Sequence, residues 1–96
     1  MYGVMQDMPA VTEAEYRLVE QHLGPDRPAG LVAHVAGPTA DGWRVINVWN
    51  SEDDFRRFQS ERLMRASGLA AQAGLDATKA AAFRAFTVTG DEMPFA

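Results

Sequence analysis

The 96-residue chain contains no cysteine. Disulfides, thiolate nucleophiles and cysteine-ligated metals are therefore excluded. No apolar run approaches the length of a membrane span, so no membrane partner is expected. Positive charge is scarce: nine Lys and Arg against thirteen Asp and Glu leave a net charge of -4. No block of Lys or Arg forms a basic face, which argues against nucleic-acid binding, whose affinity rests on phosphate neutralisation. There is no glycine loop of the kind that cradles phosphates, and no readable Ser–His–Asp arrangement. No His/Glu cluster has metal-ligand spacing, so neither a tightly held zinc nor iron is expected, and no cofactor is implied. The opening MYGVMQDMPA lacks a charged segment followed by a long apolar core, so it does not read as a signal peptide, and the cytoplasm is the expected location. What is present is ordinary globular composition, 47% hydrophobic and 23% charged, in a length that suits one domain over residues 1–96.

Local patterns give an element order. YGVMQDM (2–8) reads as a short strand. Thr12 followed by Glu15 forms a capping box at the start of a helix whose stripe is Thr12, Tyr16, Val19 and Leu23. Gly24 and Pro25 stop it. LVAHVA (31–36) reads as a strand, GPTADG (37–42) as a turn, and WRVINVWN (43–50) as a strand rich in β-branched and aromatic residues. Ser51 caps a second helix with Asp54 at the box position and three acidic residues in its first turn, an order that suits the helix dipole. Phe55, Phe58, Ala66 and Leu69 form its apolar stripe, with Arg62 near the middle. Gly68 and Gly74 are expected to break this helix. AFRAFTVT (82–89) is a last strand, followed by a GDEMPFA tail.

The order β-α-β-β-α-β in a chain of this size predicts an α+β, ferredoxin-like arrangement: one four-stranded antiparallel sheet with both helices on one face. On strand 43–50, Trp43, Val45, Asn47 and Trp49 share one face, and Arg44, Ile46, Val48 and Asn50 the other. On strand 31–36, Leu31, Ala33 and Val35 oppose Val32, His34 and Ala36. Both faces of both strands are largely apolar, yet two helices can cover only one face. A second copy packed sheet against sheet is the simplest cover, so a homodimer is expected.

The stretches GLVAHVAG, DGWRVINVWNSEDDFRRF and the RL at 62–63 resemble the dimeric α/β-barrel superfamily, and within it small proteins similar to antibiotic-biosynthesis monooxygenases. The junction VWNSEDDFRRF is similar to a recurrent pattern there of Trp, Ser, an acidic first turn and two Phe. The resemblance covers roughly residues 2–90 and is most specific over 30–63. It implies a barrel formed across a dimer, with a small-molecule cavity between sheet and helices in each subunit. Such a fold hosts many activities. Haem-degrading relatives imply an iron-ligating histidine on the second helical region, but residues 51–82 contain none, so a haem role would need His34 instead.

His34 is the sole histidine in a predicted strand. It suits a general base or acid, or else a structural histidine bonded across the sheet. Arg62, on an apolar stripe, reads as a clamp for a substrate oxyanion, or as a partner of Asp7 or Glu20, or as a snorkelling side chain. Tyr16 lines a cavity with His34 or fills core. Asn47 needs partners if buried, from a strand, a second subunit or a ligand. In the monooxygenase relatives a Trp and an Asn hold a phenolic substrate for reaction with oxygen; Asn47 and Trp49 are those residue types here, but two residues apart on one strand they do not match the spacing of that pair, and Trp49, at the recurrent Trp position of the superfamily, also reads as packing. His22 lies off the stripe of the first helix and reads as surface. The combined expectation is a cofactor-independent monooxygenase, or a cyclase or isomerase, on a small aromatic or enolisable molecule. Its catalytic residues would be His34 and Arg62, and its substrate-binding residues Tyr16, Asn47 and Trp49. The alternative is a non-catalytic ligand-binding homodimer.

Overall fold

The structure is a computed structural model that describes residues 1–76, 78–79 and 82–89. The GDEMPFA tail at 90–96, and residues 80 and 81 of the alanine run, lie outside the described residues. Strand β1 (Tyr2–Pro9) leads through a tight turn into α1 (Glu13–His22). Thr12 caps that helix as its spacing predicts: its side chain accepts from the Glu15 backbone while the Glu15 side chain reaches back to the cap. Gly24, at φ +89°, takes the left-handed conformation that ends the helical path without a Cβ penalty.

Strands β2 (Leu31–Thr39) and β3 (Gly42–Trp49) form a hairpin, and β4 (Ala82–Thr87) follows the second helical region. The sheet order is β2-β3-β1-β4 and the pairings are antiparallel. This is the ferredoxin-like α+β arrangement that the element order predicts. β2 runs three residues beyond its sequence expectation, and the predicted turn over 37–42 shortens to its tip. Gly37 and Pro38 are tolerated because β2 is an edge strand, where a missing N–H costs no ladder bond on the open side.

The second helical region is broken, at a different place from the one expected. α2 (Glu52–Phe58) passes through a π-helical turn (Gln59–Leu63) into α3 (Met64–Gln72). Gly68 sits inside α3, while Gly74, at φ +116°, follows its end. Ser51 caps α2, accepting from the Asp54 backbone and donating its hydroxyl to the Asp54 carboxylate.

Strand β3 explains the crowding of aromatics on one face. Trp43, Val45, Asn47 and Trp49 are all buried beneath the helices. They belong to two core clusters. One joins Val4, Trp49 and Phe55, with Tyr2, Leu31 and Phe58 against it. The other joins Val11, Trp43 and Val45, with Met8 and Tyr16 against it. Asn47 stands between the clusters on the strand.

Candidate active site

Residues of both clusters line one cavity of about 400 Å³ between sheet and helices. Its floor is β3 and β1, with Val45, Asn47, Trp49, Gln6 and Met8. Its walls come from α1 (Tyr16, Val19, Leu23) and from the second helical region (Phe55, Phe58, Arg62). Leu31 and His34 close the β2 side. The five residues singled out from sequence, Tyr16, His34, Asn47, Trp49 and Arg62, all border this space. His22, partly exposed in the last turn of α1, does not.

Strict alternation along β2 would put Leu31 and His34 on opposite faces. A register shift between Leu31 and Ala33 removes that opposition: Leu31 pairs with Trp49, and His34 with Asn47, so both turn toward the helices. The extra residue leaves backbone groups without ladder partners. Arg27 answers them, donating to the Leu31 carbonyl (2.9 Å) and the Val32 carbonyl (3.0 Å).

His34 and Tyr16 meet across the cavity wall, with Tyr16 Oη 3.0 Å from His34 Nε2. The Tyr16 ring rests on Trp43, centroids 5.1 Å apart. Burial, reinforced by the Glu20 carboxylate, pushes the Tyr16 hydroxyl up to about 12. Desolvation lowers the imidazole below its ordinary 6.5, with the Glu20 charge opposing. Both groups are thus neutral near pH 7. With the imidazole proton on Nδ1 the phenol donates to Nε2, and with it on Nε2 the imidazole donates to Oη. His34 itself is exposed at the edge of the sheet, so its far side meets water.

Asn47 is 8% exposed, and its Oδ1 accepts from the Trp49 indole Nε1–H at 2.7 Å. Trp49 is thereby more than packing. The Trp43 indole N–H, by contrast, is buried without a partner among the described residues, which leaves that ring a platform for Tyr16.

Arg62 lies in the π-helical turn. Its guanidinium takes neither Asp7 nor Glu20. Asp7 pairs with Arg44 at 2.6 Å and Glu20 with Arg17 at 2.9 Å. Arg62 instead donates to the Leu23 carbonyl (2.6 and 3.1 Å) and the Asp26 carbonyl (2.8 Å), and covers the Phe58 ring. It enters the cavity as a pinned cation.

Sequence reasoning missed Gln6, which the alternation of Tyr2, Val4 and Met8 on β1 could have placed on this face. It also missed the rim contact of Lys79, which donates to Glu15 Oε1 at 2.6 Å and to the Ala10 carbonyl at 2.9 Å. No local signal joins residues so far apart in the chain. The same contact holds the Glu15 carboxyl below its usual range.

Among solved structures, the chain shares its fold with proteins of the antibiotic-biosynthesis monooxygenase type. One is SnoaB of Streptomyces nogalater, a cofactor-independent oxygenase, at TM-score 0.66 and 19% identity, covering 98% of this chain and 97% of that one. A monooxygenase from the ActVA-Orf6 gene of Streptomyces coelicolor, solved with nanaomycin D, is similar at TM-score 0.62 and 20% identity, covering 98% and 92%. The haem-degrader MhuD of Mycobacterium tuberculosis, solved with two haems in its active site, is similar at TM-score 0.59 and 17% identity, covering 97% and 100%. No family model matches the chain, and no curated protein matches it in sequence. Among the described residues no helix is long and apolar enough to cross a membrane.

Proposed function

We propose that the protein is a cofactor-independent monooxygenase for a small aromatic or phenolic metabolite, acting as a cytoplasmic homodimer. The Tyr16–His34 hydrogen bond, set in the wall of a largely apolar cavity, carries the reading. A phenol or enolisable ketone seated there gives its proton to Tyr16 as Tyr16 gives its own to His34 Nε2. The imidazolium then discharges to water on its exposed side. The Asn47 amide and the Arg62 charge stabilise the substrate oxyanion, and Tyr16 and Trp49 hold the ring.

Dioxygen is the oxidant. The substrate carbanion forms a C–O bond to one oxygen atom and takes up a proton, giving a hydroperoxide. Loss of water then leaves a carbonyl. A methylene becomes C=O, one dioxygen is consumed and one water released, with all four electrons coming from the substrate. Likeness in fold to SnoaB and to the nanaomycin-bound monooxygenase supports this reaction class. The same deprotonation without oxygen would serve a cyclase or isomerase. One observation favours a non-catalytic, ligand-binding homodimer: the Arg62 guanidinium already spends three hydrogen bonds on backbone carbonyls.

Oxygen uptake with anthrones and naphthols tests the proposal. Turnover by the native protein should fall about a hundredfold or more in His34→Ala, the range for loss of a general base. Equal turnover in a folded His34→Ala protein would sink the catalytic reading.

A further inference from the structure

The side-chain amide of Asn47 can present either its oxygen or its nitrogen to the cavity. Its neighbour decides. An indole N–H only donates, so the atom it meets at 2.7 Å must be Oδ1. That bond turns Nδ2 the other way. Asn47 is 8% exposed and borders the cavity. Nδ2 has no protein acceptor among the described residues, yet it is not sealed away as a buried orphan. It therefore faces the cavity as an unpaired donor, directly across the β2–β3 ladder from His34.

We infer that Trp49 is a positioning residue: its indole N–H locks the Asn47 amide so that the cavity offers a donor at this point and selects ligands carrying an acceptor oxygen there. The lock is built into the strand. Residues i and i+2 share a face, so the two side chains sit side by side on β3. Trp49 is 1% exposed and is gripped by Phe55 and Phe58, with ring centroids at 5.9 and 5.1 Å. The indole cannot turn away, and the amide cannot flip without leaving an N–H facing an N–H. A ligand hydroxyl that must donate finds no acceptor at Asn47, whereas a carbonyl or phenolate oxygen finds its partner.

This inference rests on the cavity being a binding site, as proposed above, but not on turnover. Its test uses two probes of similar shape, 1,4-naphthoquinone with acceptor oxygens and naphthalene with none. The absence of cysteine removes the usual thiol addition to quinones. The native protein should prefer the quinone by about three- to tenfold, the worth of one net hydrogen bond. Trp49→Phe keeps a ring but lacks the N–H. Whatever that change costs naphthalene binding, it should cost the quinone about three- to tenfold more, so that the preference is lost. Asn47→Leu should lose it equally, and the double variant no further. A tryptophan that merely packs would weaken both probes together when replaced. In the native protein, the Asn47 side-chain amide resonances should move with naphthoquinone and stay with naphthalene.

Absence of a quinone preference, or an unmoved Asn47 amide, overturns the inference, as does a folded Trp49→Phe that keeps the preference. If Trp49→Phe does not fold, the native resonances decide alone. Should the preference be present while no substrate is ever oxidised, the orientation stands and only the monooxygenase reading falls.

Discussion

His34 and Tyr16 meet at one contact, and the same surroundings tune both. Desolvation favours the uncharged form of each, and Glu20 keeps the proton on the phenol. A base must be neutral to accept a proton. Activity should therefore fall as pH drops through the lowered His34 value, which lies under 6.5. It should stay flat from pH 7 into the alkaline range, because Tyr16 holds its proton to about 12. A kcat/KM profile checks this, and a midpoint above 7 would contradict it. Stability follows the same sign. The unfolded histidine binds a proton more readily than the folded one, so folding weakens as pH falls below 6.5 and recovers above it. At this scale the sequence was informative about residue type: His34, Tyr16, Asn47, Trp49 and Arg62 were all nameable beforehand. Their partners were not. The Tyr16–His34 bond joins a helix to a strand 18 positions away, and nothing local encodes such a meeting.

Two irregularities at the scale of elements aim the site. The bulge near Leu31 re-phases β2 so that His34 faces inward. The π-helical turn widens the second helical region at Arg62 and presents its guanidinium to the end of α1. π-turns are costly unless packing requires them, and here the reward is the tie between two helical segments. Replacing Arg62 by Met should remove all three bonds and destabilise the fold by about 2 kcal/mol, a magnitude typical of charged donors in part-exposed settings. The readout is a lower urea midpoint with an unchanged slope. Arg62→Lys, which lacks the planar fork, should recover only part of the loss. A midpoint unmoved in both variants would show the clamp to be idle. The helix caps were legible because each involves residues three apart. The bulge and the π-turn were not, because each answers to what packs above it, and periodicity alone gives only the regular continuation.

For the molecule as a whole, the question is what covers the second face of the sheet. Val35 is 61% exposed and Phe86 is 46% exposed, on the face that also carries Met5, Ile46 and Val48. The Arg44–Asp7 ion pair lies among them. Apolar strand faces left to water favour self-association, and a two-fold partner would bring each patch against its own copy. Light scattering behind size exclusion should give twice the chain mass for the native protein and the single mass for a Val35→Glu, Phe86→Glu double variant. A native monomer at micromolar concentration would refute the homodimer.

The chain by itself determined the order of elements, the caps, which residues of β3 share a face and the set of polar residues placed among apolar ones. Each of these follows from interactions within a few positions, or from a period of 2 or 3.6. Only the tertiary structure decided that Leu31 and His34 share a face, that Arg62 clasps carbonyls instead of a carboxylate, and that Trp49 turns the amide of Asn47. Those outcomes depend on which unpaired donors and acceptors are brought within about 3 Å of each other, and that is settled only when helices and sheet close over one another.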